Sequence, residues 1–195
     1  MQGSKIRLSP SEAALIGNAE IILTKNSIIQ KMVALLAQLQ EHLTTGNTVL
    51  SFSSSPKISK GENYLGLPYV VLDYPRISQG EDLFFIRSMF WWGHYFSSTL
   101  QLAGMYKEMA LPQLAAAYPA LAEKNYFIGI HSDPWQHHFD PSNYREINSL
   151  TPEEFNAILQ QQPHTKIAAR WSLSEWDAAA NRLSASWHYL AGLVA

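Results

Sequence analysis

The 195-residue chain contains no cysteine. Disulfides are therefore excluded, as are zinc or iron–sulfur centres held by thiolates. Charge is scarce as well. Asp, Glu, Lys and Arg make up 15% of the residues, against about 25% in an ordinary soluble domain. The net charge is −2 and there is no basic run, so nothing points to a nucleic-acid or anionic-membrane surface. No apolar run approaches the roughly 20 residues of a membrane helix. The most apolar stretch, LFFIRSMFWWGHYF at 83–96, is interrupted by Arg87 and His94. Phosphate-cradling G-x-G-x-x-G and G-x-x-x-x-G-K patterns are missing, and so is the G-x-S-x-G nucleophile elbow. Ser54 and Lys57 match S-x-x-K, but in a polar stretch with no helix to present the serine. The first residues, MQGSKIRLSPSEAALIG, lack a signal-type apolar core, and with zero cysteine they read as the start of a cytoplasmic protein.

Apolar surface is what the chain has in excess. Hydrophobic residues reach 47% and aromatics 12%, with six Trp, nine Tyr and eight Phe. At this length one domain buries a substantial core without staples. The surplus must go into a thick core, a ligand pocket or an interface between copies of the chain.

Local signals place helices at both ends. Ser9-Pro10-Ser11-Glu12 is a capping box with proline at the first helical position, and predicts a helix to about Leu23. Ser27 looks like a second cap, opening a new helix or kinking the first, with apolar residues from Ile28 to Leu43 at spacings of three and four. Gly46 ends it. TVLSF at 48–52 is a short strand candidate and 53–63 reads as a polar loop. PYVVLDY at 68–74 is a strand stopped by Pro75. From 83 to 103 the even positions Phe84, Ile86, Phe90, Trp92, Phe96, Leu100 and Leu102 are apolar, whereas Arg87, Ser97, Thr99 and Gln101 occupy odd ones. That alternation predicts strands with one buried face, split near Gly93. Further on come a helix over 105–124 broken by Pro112 and Pro119, a strand at 126–130, a capped helix from Thr151, a strand at 166–173 and a final helix. The expected fold is one α+β domain over 1–195: a mainly antiparallel sheet of about four to six strands, an N-terminal helical segment and further helices packed on the sheet.

Two stretches carry chemistry. HSDPWQHHFD, 131–140, holds three of the seven histidines. His131 and Asp133 are two apart after a strand and point the same way in an extended chain, as in half of a two-histidine-one-carboxylate metal site. His137 or His138 would complete the set locally, and His164 or His188 from a distance. The competing reading is a structured loop in which Asp133-Pro134 and Asp140-Pro141 start turns. The second stretch, from Arg87 to Tyr95, offers an aromatic wall: Arg87, Trp91, His94 and Tyr95 are candidate ligand-binding residues. Arg76, Arg87 and Arg170 all lie on or beside strands. An arginine there needs a partner, with Asp73 the nearest by type, or shares an anion site.

The order of elements, with Lys60-Gly61, then Pro68-Tyr69-Val70-Val71 and an aromatic strand after them, resembles that of the YktB-type proteins, uncharacterised proteins of Gram-positive bacteria. The resemblance is one of layout over most of the chain and implies α+β; it supplies no site residues. The leading expectation is a cytoplasmic binding or assembly protein, a homo-oligomer with an aromatic-lined cleft for a small molecule or peptide and no cofactor favoured. The alternative is a hydrolase or oxygenase dependent on a divalent metal at His131, Asp133, His137 and His138.

Overall fold

A computed structural model describes residues 6–45 and 54–194. The strand expected at 48–52 and the stop at Gly46 lie outside the described residues. The first helix, α1 (Pro10–Ile16), carries the expected capping box. It ends sooner than its apolar pattern suggests, at Gly17. Asn18 then opens α2 (Ala19–Thr45) by accepting the Glu20 N–H at 3.0 Å. Ser27 is therefore mid-helix, where its capping chemistry is unused.

Seven antiparallel strands follow, one more than the upper expectation: β1 (Lys57–Tyr64), β2 (Leu67–Gln79), β3 (Asp82–Trp91), β4 (Tyr95–Ala103), β5 (Phe127–Gly129), β6 (Tyr144–Glu146) and β7 (His164–Ser172). Their order in the sheet is β1-β2-β3-β4-β7-β5-β6. Most of the stretch taken for a polar loop is β1. It is polar because, among the described residues, it is an edge strand paired with β2 alone, and edges favour Lys and other charged residues. Pro75 does not stop β2. The ladder to β3 shifts register between Asp73 and Arg76, and this irregularity absorbs the proline. β3 and β4 turn at Gly93, whose φ of +74° suits glycine. After β4 come α3 (Met105–Ala116), α4 (Tyr118–Glu123), α5 (Pro152–Gln161) and α6 (Ala179–Gly192). Pro112 sits inside α3 without breaking it, and the break falls before Pro119.

The even positions of β3 and β4 face the main core as expected. Phe84, Ile86, Phe90, Phe96, Leu100 and Leu102 pack with Leu36 of α2, Leu114 of α3 and Trp187 of α6. The odd face, for which the alternation alone requires no cover, is covered too, and all nine residues of β4 are buried. Its apolar part is a smaller cluster of Val71, Met89, Trp91, Tyr95, Phe139, Tyr144 and Ala168. Phe139 comes from the histidine-rich stretch, so that stretch is the cover.

Candidate functional site

Strand β5 ends at Gly129 and β6 begins at Tyr144; the segment between them lies across the second face of the sheet. An irregular segment brings backbone N–H and C=O groups that no helix satisfies internally. Side chains planted on the sheet meet them. The Tyr64 Oη accepts the N–H of His137 at 2.6 Å and of His138 at 3.1 Å. The Tyr95 hydroxyl donates to the His137 carbonyl at 3.2 Å. Lys166 Nζ donates to the Gln136 carbonyl at 2.7 Å and to Asn143 Oδ1 at 3.0 Å. Asn143, fully buried, also donates to the His138 carbonyl at 2.5 Å. Its own carbonyl accepts the Ile130 N–H at 2.8 Å, closing the neck of the loop. Gly129 is required here: a Cβ at that position would sit 2.6 Å from Lys166 Cε.

Under this loop Asp73, on β2, faces Arg87 on β3. The guanidinium grips the carboxylate through Nε at 2.7 Å and Nη2 at 2.8 Å, the two-pronged geometry that arginine favours. Its Nη1 donates to His137 Nε2 at 2.6 Å. Arginine has no acceptor, so that nitrogen keeps its lone pair and the imidazole is neutral. Burial first, then the cations Arg87 and Lys166, hold His137 well below the usual histidine range. Burial likewise pushes Lys166 down to about 8. Trp135 covers the outer side of Arg87 at 5.7 Å.

The four candidate metal residues go to separate tasks. His131 Nδ1 accepts the Asp133 N–H at 2.9 Å. The Asp133 carboxylate closes the turn, accepting Trp135 N–H at 2.8 Å and Gln136 Nε2 at 2.9 Å, and these bonds lower its pKa. His137 serves Arg87. His138 Nδ1 lies 3.2 Å from Asp140 Oδ2. His164 is buried on β7, and His188 on α6 bonds the Ser184 carbonyl at 2.8 Å. Among the described residues no three His, Asp or Glu side chains converge on a point a metal ion could occupy.

Three of the four ligand-binding candidates do come together. Trp91, His94 and Tyr95 line an open depression of about 480 Å³ at one end of the second face, completed by Leu65, Gly93, His138, Phe139, Asp140 and Arg170. The His94 imidazole stacks on Trp91 with centroids 3.5 Å apart and planes 10° from parallel. Trp91 is fixed behind it by an Nε1–H bond to the Tyr64 carbonyl at 3.2 Å. Arg87 is not part of this lining, because Asp73 and His137 hold it deeper in. Arg170 supplies the cation instead. Its guanidinium sits over Phe127 and Phe139 at 5.3 Å each and over Tyr95 at 5.9 Å. The residue is exposed and makes no ion pair among the described residues.

Sequence reading missed Tyr64, Asn143 and Lys166. One signal was available: Lys166, Ala168 and Arg170 share one face of a central strand, and a central strand with cations on one face needs a polar cover. No family model, curated protein or solved structure matches the chain. No helix of the described residues is long and apolar enough to cross a membrane.

Proposed function

We propose that this chain is a binding protein that takes a small planar molecule or an aromatic-bearing peptide, with an anionic group, in the depression beside Trp91, and that it works as a homo-oligomer. One observation carries the ligand reading. Arg170 is held on three aromatic faces, without a carboxylate partner among the described residues, beside an imidazole stacked on indole. A guanidinium placed this way is oriented without being neutralised, and it offers bidentate donors to a carboxylate or phosphate. The His94–Trp91 stack offers a flat surface for the rest of the ligand. Asp140 and His138 at the rim add an acceptor and a titratable group. The metal-dependent alternative has no convergent ligand set among the described residues to support it.

Titration with a panel of aromatic carboxylates and phosphates, followed by tryptophan fluorescence and calorimetry, tests the proposal. Arg170→Met and His94→Ala should each weaken binding at least tenfold, about 1.4 kcal/mol, with the melting temperature unchanged. Absence of binding across the panel, or binding indifferent to both substitutions, would overturn it.

A further inference from the structure

The N-terminal arm is the part of the molecule that its own fold leaves uncovered. Helix α1 buries no residue. The buried positions of α2 begin only at Ile29, so the first ten residues of that helix, roughly 15 Å of it, carry none. Along this arm Leu8, Leu15, Ile16, Ile21, Ile22 and Leu23 are 43–77% exposed. Among the described residues few large apolar side chains are as exposed elsewhere, and those that are lie scattered: Leu65, Met105, Met109 and Trp135. Single exposed leucines need no explanation, but a concentration of this kind marks a contact surface. Ile21, Ile22 and Leu23 are consecutive and spread over about 200° of the helix, so no single docking of α2 on its own sheet would cover them.

We infer that this arm is the interface through which two copies of the chain pair about a two-fold axis. The inference deepens the homo-oligomer part of the reading above by naming the surface. Beside the protruding residues lies a shallow, mainly apolar groove of about 380 Å³ lined by Ile21, Thr24, Ile28 and Trp92 together with Asn18, Glu20 and Lys25. One arm therefore carries both the knobs, Leu15 and Ile16, and a groove. A two-fold axis seats the knobs of each copy in the groove of the other, which closes the assembly at two. A fully exposed Leu or Ile side chain offers on the order of 100 Å², so the six, at 43–77% exposure, offer roughly 350 Å² of the roughly 800 Å² per partner that a stable interface covers, and the groove walls and the polar residues between them supply the remainder. A membrane surface fits less well. The charged residues described on the arm are Arg7, Glu12, Glu20 and Lys25, with Lys25 paired to Glu62, and an interfacial helix needs an excess of basic residues on its polar face.

Light scattering and sedimentation equilibrium on the full chain decide the matter. The expected mass at micromolar concentration is twice the 22.0 kDa of one chain. The triple variant Ile16→Glu, Ile22→Glu, Leu23→Glu should halve it and leave the circular dichroism unchanged, because none of the three is buried. Met109→Glu, an equally exposed change on α3, should leave the dimer intact. Since the chain has no cysteine, Ile22→Cys introduces a single thiol, and oxidation should cross-link pairs. A monomeric wild type, a triple variant that stays dimeric, or a protein that remains monomeric in solution while binding anionic vesicles would overturn the inference. The readout is mass and cross-linking, so a depression that binds nothing leaves this test untouched.

Discussion

The two faces of the sheet are both buried, by different means. On one, α2, α3 and α6 cover the strands with Leu36, Leu114, Trp187 and their neighbours, and the contact is apolar almost throughout. On the other, the 130–143 segment covers Asp73, Arg87 and Lys166. A helix satisfies its own backbone groups, so it can lie on a greasy sheet and bring nothing polar to be answered. A loop cannot do this. Each N–H and C=O it buries needs a partner, and here the sheet supplies them from Tyr64, Tyr95 and Lys166, with Asn143 bonding from within the loop. The cations beneath the loop are in that sense structural. The same arrangement leaves an open end, where the loop stops short of Trp91 and His94, and that end is the depression.

Breaking each face should give losses of similar size and different character. Asp73→Ala leaves the half-buried Arg87 without its anion beside neutral His137, a kind of change that costs up to about 3–5 kcal/mol. Leu36→Ala on the helical face removes a fully buried side chain and costs about 2–5 kcal/mol. In chemical denaturation both lower the midpoint. In hydrogen exchange Asp73→Ala should also speed the loop amides well beyond its global effect, whereas Leu36→Ala should change every core amide together. Equal patterns from the two variants would erase the distinction between the faces.

A smaller effect comes from pH. Lys166 titrates near 8 in the folded chain against an ordinary 10.5. Between those values the unfolded chain holds the proton and the folded chain has released it, so this group's contribution to stability rises with pH and is lost as pH falls through about 8. Lys166→Met removes the contribution. The stability of the wild type relative to that variant should therefore climb by roughly 2 kcal/mol from pH 8 to pH 10. A flat difference would mean that the ammonium is better solvated than its burial implies. Acidic groups elsewhere cancel in the comparison.

Much of this fold is readable in the residues, and the unreadable parts share a cause. Helix starts at Ser9 and Thr151 carry both halves of a capping box, and the even-position apolar residues of β3 and β4 mark the main core. The Arg87–Asp73 pair was foreseeable from residue type. Strand β1 was hidden because an edge strand can be polar on both sides, and β6 because three residues show no period. The cover on the odd face of β4 was not legible because it comes from a segment distant in sequence, to which Tyr95 donates a hydrogen bond. For the same reason the histidine cluster looked like a metal site: the His137 side chain bonds Arg87 and the backbone of the loop bonds Tyr64 and Lys166, partners that local spacing does not reveal. Trp91, His94 and Tyr95 were found because they lie within five residues of one another on one turn. Arg170, which joins them across the β4–β7 pairing, showed up only as one of several strand arginines.

Tyr64→Phe tests the central claim most directly, because it removes one oxygen from the partner set of the loop and nothing from the packing. Hydrogen exchange of the His137 and His138 amides should accelerate at least tenfold, about 1.4 kcal/mol, while amides of β3 and β4 keep their wild-type protection. Unchanged exchange at those two amides, or acceleration spread evenly over the sheet, would contradict a loop held to the second face by side chains planted on it.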